Sequence, residues 1–141
     1  MDVWKEGLLG RFFEPVFSVA LADVPEGDVR LAGGWGKVEE ADTNKFRTVA
    51  GQASIKLEAP AKGRVLVRIK LGTGTASLTD TTKISLSIGN ACHEDAVCKA
   101  RWVTWLLPEA RGVSQVTVNA EKPVRAYAME IYAERRTNAA N

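Results

Sequence analysis

Apolar and polar residues alternate with a period of two along most of the chain after residue 50. In RVLVRIKL, residues 64–71, the odd-numbered residues are apolar and the even-numbered ones are basic, with Leu66 as the exception. The same alternation occurs in SIKLEA (54–59), KISLSIG (83–89), SQVTVNA (114–120) and VRAYAMEIYAER (124–135). In the last segment it predicts core positions for Tyr127, Met129, Ile131 and Ala133. Such alternation is typical of antiparallel strands with one face on a core and one in water.

Turn-forming residues separate these segments. Gly, Pro, Asn, Asp and Thr are concentrated in PAKG (60–63), GTGTASLTDTT (72–82), GN (89–90), LPEARG (107–112) and EKP (121–123). Their spacing is that of a sandwich or a barrel, in which short strands follow one another closely. At 141 residues the chain is long enough for one domain with its own core. The sequence therefore predicts an all-β domain of two packed antiparallel sheets.

The N-terminal residues 1–22 form an apolar segment of their own. Its large apolar side chains are Leu8, Leu9, Phe12, Phe13, Phe17 and Leu21. We expect either a short helix over VWKEGLLGRFF (3–13) or an edge strand. Charges and a proline interrupt the segment, so we predict no membrane span, which needs about 20 apolar residues, and no signal peptide. The β-sandwich domain is predicted at 23–136 and a polar tail at 137–141.

The charge balance of the chain is mild. Its 19 Lys and Arg against 17 Asp and Glu give a net charge of +2. Nucleic-acid binding proteins carry much denser basic clusters, so we predict no nucleic-acid partner. Basic residues do line the expected outer side of the strands between residues 56 and 70. They would discourage edge-to-edge aggregation or, as an alternative, recognise an acidic glycan or another anionic surface.

The segment RWVTWLLP, residues 101–108, carries two tryptophans three positions apart. In a strand, a spacing of three places Trp102 and Trp105 on opposite faces. One ring is expected in the core. The other either lies in a strand that is buried on both faces or forms an exposed aromatic platform.

The two cysteines, Cys92 and Cys98, flank His93, Glu94 and Asp95. Three interpretations are open: a disulfide that closes a short loop, two reduced thiols, or a metal site. The spacing lacks the usual zinc patterns, so we predict no metal. We predict the disulfide, since these are the only cysteines of the chain, and it would indicate a periplasmic or extracellular location. Reduced thiols would instead fit the cytoplasm.

Catalytic residues are not evident. His93 is the only histidine, and its neighbours along an extended backbone point away from it. The stretch GTGTAS lacks the lysine and the helix of a phosphate-binding loop. The paired carboxylates Glu39–Glu40 and Glu94–Asp95 are typical of solvated loops. We therefore predict no enzyme, no catalytic residue and no cofactor.

The order of the segments resembles a known module. GGWGKVEE (33–40), then KFRTVAGQASIKLEAP (45–60), then the later strands and a Trp-Leu-Leu-Pro segment are similar to a jelly-roll, carbohydrate-binding-module-like β-sandwich. Such domains are attached to bacterial glycosyltransferases and envelope-polysaccharide proteins. The residues that match are Trp35, Glu39 or Glu40, Arg47, Trp105 and Pro108, with Gly89 and Asn90 in inverted order. The sequence departs from the pattern at Phe46, where the family has tryptophan, and in the cysteine-flanked loop.

The resemblance implies a non-catalytic carbohydrate-binding module, accessory to glycan processing. It implies that a glycan or polysaccharide contacts Trp35, Glu39, Arg47 and Trp105. For the first three residues there is also a structural interpretation, in which the indole covers the open end of the sandwich and a carboxylate–guanidinium pair braces a loop. The alternative function is an assembly module that packs on a parent enzyme, or on a second copy of itself, through its N-terminal segment.

Overall fold

The structure, a computed structural model, describes residues 13–25, 28, 30–41, 43–74 and 81–134. These residues form strands β1 (Phe13–Ala20), β2 (Leu31–Ala41), β3 (Asn44–Gly72), β4 (Thr82–Ile88), β5 (Ala91–Val97), β6 (Arg101–Ala120) and β7 (Val124–Glu134). One short 3₁₀ helix, Leu21–Asp23, follows β1. The strands pair in antiparallel fashion throughout. In this described part of the chain, no helix is long and apolar enough to span a membrane.

Strands β3 and β6 are long, and each contributes to two layers. In one layer the strand order is β1–β7–β3–β6, and there β3 uses Val65–Leu71 against Leu107–Arg101 of β6. In the other layer the order is β2–β3–β6–β4–β5, and β3 uses Gln52–Lys56 against Asn119–Gln115. We call these the first sheet and the second sheet. The predicted antiparallel sandwich is confirmed.

Two of the predicted turns were wrong. The sequence PAKG (60–63) lies within β3, and LPEARG (107–112) lies within β6. The pairing of β3 with β6 shifts its register between Lys56 and Val65. Such irregularities bend a strand, which lets it pass from one sheet to the other without leaving the hydrogen-bonded ladder. The glycines and prolines therefore mark bends, not chain reversals.

The core lies between the two sheets and follows the predicted alternation. Val65, Val67, Ile69 and Leu71 are all completely buried in it. The same prediction was wrong for Tyr127. Lys70 pairs with Ala128 and Leu71 with Ala126, so that Tyr127 is an extra residue in β7 and its side chain leaves the core face.

The described part of the N-terminal segment belongs to the fold. Strand β1 is an edge strand that pairs with β7, and Phe13, Phe17 and Leu21 are buried. The helix expected over residues 3–13 lies outside the described residues except for Phe13, which begins β1. The predicted division into segment, domain and tail stays a prediction.

The predicted disulfide between Cys92 and Cys98 is wrong, because both cysteines are free. Cys92 lies in β5, which is extended up to Val97, and Cys98 follows directly. Five steps along a strand cover about 16 Å. A disulfide requires its two Cα atoms within about 4.4–6.8 Å of each other. The argument for an oxidising compartment consequently loses its support.

Candidate functional site

Arg47, predicted to contact a ligand, is buried with 2% of its surface exposed. Its guanidinium donates hydrogen bonds to the carbonyl oxygens of Leu21 at 2.9 Å, Val24 at 2.7 Å and Gly36 at 2.8 Å. These carbonyls belong to the 3₁₀ helix, to the residue after it and to β2. Arg47 therefore joins the chain after β1 to the second sheet, at the side where the two sheets would otherwise separate.

Trp35 and Glu39 make other contacts. The indole Nε1 of Trp35 donates to the carbonyl oxygen of Ser54 at 2.7 Å, and its ring packs against the core. Glu39 is exposed, and its Oε2 accepts a hydrogen bond from Oγ1 of Thr48 at 2.9 Å. Among the described residues, the expected pairing of Glu39 or Glu40 with Arg47 is not formed, because the guanidinium is bound to carbonyls. Trp35 and Arg47 thus have structural contacts of their own.

Trp105 lies at the opposite side of the sandwich. Its ring is half-buried and stacks on the imidazole of His93 in β5, with ring centres 5.9 Å apart and planes inclined by 14°. Strands β2 and β5 are the two edges of the second sheet and are separated by four strand spacings, or about 19 Å. The structure therefore does not bring Trp35 and Trp105 together into one site.

Asp95 anchors the cluster around His93 and Trp105. Its Oδ1 accepts from the guanidinium of Arg101 at 2.7 Å and from the backbone N–H of Ala96 at 2.8 Å. Partial burial raises the pKa of this carboxyl, but the two hydrogen bonds and the electrostatic effects of Arg101 and His93 outweigh it, so the pKa of Asp95 lies below its usual value. The cluster ties β5 to β6 at this open side of the sandwich.

Trp102 points away from the core, as its spacing from Trp105 predicts. The guanidinium of Arg68 lies over its ring, with Cζ 4.7 Å from the ring centre, and also donates to Oε1 of Glu130 at 2.9 Å. Both charged side chains are buried, with 5% and 4% of their surface exposed. The indole of Trp102 itself is half-buried. Its ring is thus held on a buried ion pair and keeps part of its surface open.

A second group of rings and cations lies next to Trp102. Trp102 is directly opposite Lys70 in the pairing of β6 with β3, and Nζ of Lys70 lies 6.0 Å from the ring centre of Tyr127. The Tyr127 ring meets Phe46 edge to face at 5.8 Å, and Cζ of Arg125 lies 4.4 Å from the Phe46 ring centre. We call these five residues, Trp102, Lys70, Tyr127, Phe46 and Arg125, the aromatic patch.

None of the five is among the four ligand contacts that the resemblance implies, although Lys70 belongs to the basic residues between 56 and 70, for which recognition of an acidic glycan is the alternative interpretation. Trp102 shares its face of the strand with Thr104 and Leu106, and an exposed aromatic platform is one interpretation of this segment. Tyr127 could not be found in this way, because a bulge reverses its expected direction. Two of the predicted residues adjoin the patch along the backbone, since Glu39 pairs with Phe46 in β2 and Arg47 follows Phe46 in β3.

A groove runs across the outer face of the second sheet. It encloses about 820 Å³ and is lined in part by Gln52, Asn119, Ser85 and Glu94. These four residues lie on four neighbouring strands and are successive pairing partners, so their side chains form one row across the sheet. The row offers amide, hydroxyl and carboxylate groups without an aromatic ring. It can form hydrogen bonds but cannot stack on a flat ligand.

Comparison of the sequence with protein-family models gives no match, and none of the curated proteins matches it in sequence. Solved structures do match the fold. The C-terminal family 6 carbohydrate-binding module of a marine laminarinase from Zobellia galactanivorans has a TM-score of 0.55 and 12% identity, covering 82% of this chain and 97% of that one. A family 6 module from Clostridium stercorarium, solved with cellobiose, has a TM-score of 0.50 and 12% identity, covering 84% and 94%.

Enzymes that contain such modules match as well. A GH26-CBM35 β-(1,4)-mannanase from Podospora anserina has a TM-score of 0.55 and 12% identity over 86% of this chain and 28% of that one. The chain therefore has the β-sandwich fold of carbohydrate-binding modules, as the resemblance implied. At these identities the likeness extends to the fold alone. The expected attachment to glycosyltransferases or envelope-polysaccharide proteins stays a prediction.

Proposed function

We propose that the protein is a non-catalytic carbohydrate-binding module and that sugar binds at the aromatic patch. The observation that supports this most directly is the pair of half-buried rings, Trp102 and Tyr127, on either side of Lys70. A pyranose ring has a flat apolar face and a rim of hydroxyl groups. Binding sites for such ligands combine apolar rings with a few placed polar groups.

The patch lies on strands and not on loops. Lys70, Trp102 and Tyr127 belong to the three neighbouring strands β3, β6 and β7 of the first sheet. The Trp102 ring rests on the Arg68 guanidinium, which in turn is bound by Glu130. Rings that are fixed before binding lose little conformational freedom when the ligand arrives, and this favours affinity.

A module of this kind needs no catalytic groups. His93 is the only histidine of the chain, and its imidazole stacks on Trp105 about 4 Å from the Asp95 carboxylate. The alternative function, an assembly module, rests on the apolar N-terminal segment. The described apolar residues Phe13, Phe17 and Leu21 are buried within the chain's own fold, so they give that alternative no support.

The test is a glycan array with the purified protein, followed by calorimetric titration of any glycan that binds. We expect Trp102→Ala and Tyr127→Ala each to weaken binding about tenfold or more, because each removes a stacking surface. Trp105→Ala, which removes a ring of the same type outside the patch, is the matched control and should leave affinity unchanged. The sequence-based hypothesis predicts the opposite for Trp105, so the two variants separate the sites. An array without any bound glycan would refute the proposal.

A further inference from the structure

We infer that the aromatic patch selects glycans that carry carboxylate groups on their sugar rings. This inference rests on the proposed function and adds the ligand class. Its basis is that two cations of the patch, Lys70 and Arg125, have no acidic partner. Within the described residues, no carboxylate oxygen lies within 4 Å of either cation.

Other arginines of the protein are paired with acids. Ion pairs join Arg30 to Asp28 at 2.9 Å, Arg64 to Glu134 at 2.8 Å, Arg68 to Glu130 at 2.9 Å and Arg101 to Asp95 at 2.7 Å. The buried Arg47 is bound by carbonyl oxygens. Against this background Arg125 differs from the other arginines whose side chains the structure describes, since it has neither a carboxylate nor a carbonyl partner.

The guanidinium of Arg125 is also held in place. Its Cζ lies over the Phe46 ring, 4.4 Å from the ring centre. Gly74 borders it closely, since a Cβ atom on that glycine would lie 2.6 Å from Cζ of Arg125. Stacking occupies a face of a guanidinium but leaves its N–H groups, which lie in its plane, for other acceptors. Those N–H groups form a fork that matches the two oxygens of a carboxylate.

Lys70 supplies a second positive charge beside the rings. In the pairing of β3 with β7, Gly72 is opposite Arg125, and Lys70 precedes Gly72 by two residues on the same face. Diagonal neighbours of this kind are about 7–8 Å apart at Cα. Arg68 balances the charge of Glu130, whereas Glu39 accepts only from the neutral hydroxyl of Thr48 and keeps its negative charge, so two cations stand against one uncompensated carboxylate. The patch therefore presents net positive charge next to stacking surfaces, which suits an acidic sugar better than a neutral one.

The test compares polygalacturonate with the same polymer after chemical reduction of its carboxyl groups to alcohols. The backbone of the two polymers is shared, so the difference in affinity reports the carboxylate. At low ionic strength, we expect the native protein to bind polygalacturonate about tenfold more tightly than it binds the reduced polymer. This preference should decrease as salt is added, because salt screens the charges. Arg125→Gln and Lys70→Gln should each reduce the preference. Lys56→Gln, at an exposed lysine of the second sheet, is the matched control and should leave it unchanged.

The variant Arg125→Lys separates the effect of the paired guanidinium N–H groups from the effect of the positive charge. This variant keeps the positive charge but loses the paired N–H groups, so we expect it to retain only part of the preference. Equal binding of both polymers by the native protein would overturn the inference, and so would an unchanged preference in both glutamine variants. In those cases loss of binding in Trp102→Ala would still support the proposed function. If no glycan binds at all, both the inference and the proposed function fail.

Discussion

Replacing Arg47 by methionine tests whether this buried guanidinium holds the sandwich closed. Methionine retains most of the apolar stem but removes the donors to Leu21, Val24 and Gly36. Each bond from a charged donor to a buried carbonyl contributes about 1–1.5 kcal/mol after the desolvation of the guanidinium is subtracted. Three such bonds give about 3–4.5 kcal/mol. This is a large part of the roughly 5–15 kcal/mol that stabilises a domain of ordinary size.

The assay is urea unfolding followed by tryptophan fluorescence and circular dichroism. Arg64→Met is the matched control, since Arg64 is half-exposed and its ion pair with Glu134 lies at the surface, where such pairs contribute little to stability. A loss of less than 1 kcal/mol in Arg47→Met, similar to that in the control, would refute the structural role. If such a stable variant also lost glycan binding, Arg47 would be a ligand contact, as the sequence-based hypothesis has it.

Three further predictions concern other parts of the fold. A Cβ atom on Gly34 would collide with the carbonyl oxygen of Gln52. Gly51 is the matched control, because its φ is also positive but a Cβ atom there would meet open space. Gly34→Ala should therefore lower the unfolding free energy by about 1–3 kcal/mol more than Gly51→Ala does. The pKa of Asp95 is lower in the folded protein than its ordinary value of 3.8. The ionised carboxylate therefore stabilises the folded state above pH 3.8, and this stabilisation is lost as the pH falls through the lower folded-state pKa. Asp95→Asn should lower the unfolding free energy, measured by urea unfolding, by up to about 1 kcal/mol at neutral pH and by less in acid. Both cysteines should react with a thiol reagent in the unfolded protein without prior reduction, and a reductant should leave the melting temperature unchanged; a shift on reduction would contradict the free thiols.

Much of the fold follows from the alternation of residues. The four apolar residues of RVLVRIKL are completely buried, because a period of two assigns each side chain to a face without any knowledge of the partner strands. The continuation of β3 through PAKG could not be predicted in the same way. Glycine and proline permit a turn and a strand bend equally, and only the pairing with β6 on both sides of the bend decides between them.

The candidate site was harder to predict from the sequence than the fold. Arg47 is a charged residue, and charge alone suggested a surface role; its burial depends on three carbonyl groups from other parts of the chain, at sequence separations of 11 to 26 residues. Tyr127 was assigned to the core because nothing local shows the extra residue in β7. Trp102 was placed correctly away from Trp105. Whether its outward face was covered depended on Arg68 and Glu130, which lie on neighbouring strands.

The ion pair beneath Trp102 bears on function more than on stability. Burying Arg68 and Glu130 costs solvation that their attraction repays only in part, so the pair contributes little net stability compared with an apolar substitute. Its position gives it another effect. Arg68 lies against the Trp102 ring, and Glu130 fixes Arg68, so the orientation of the indole depends on both charges. Because Glu130 engages the charge of Arg68, the positive charge left for a ligand is that of Lys70 and Arg125, at the end of the patch where Tyr127 and Phe46 provide the rings.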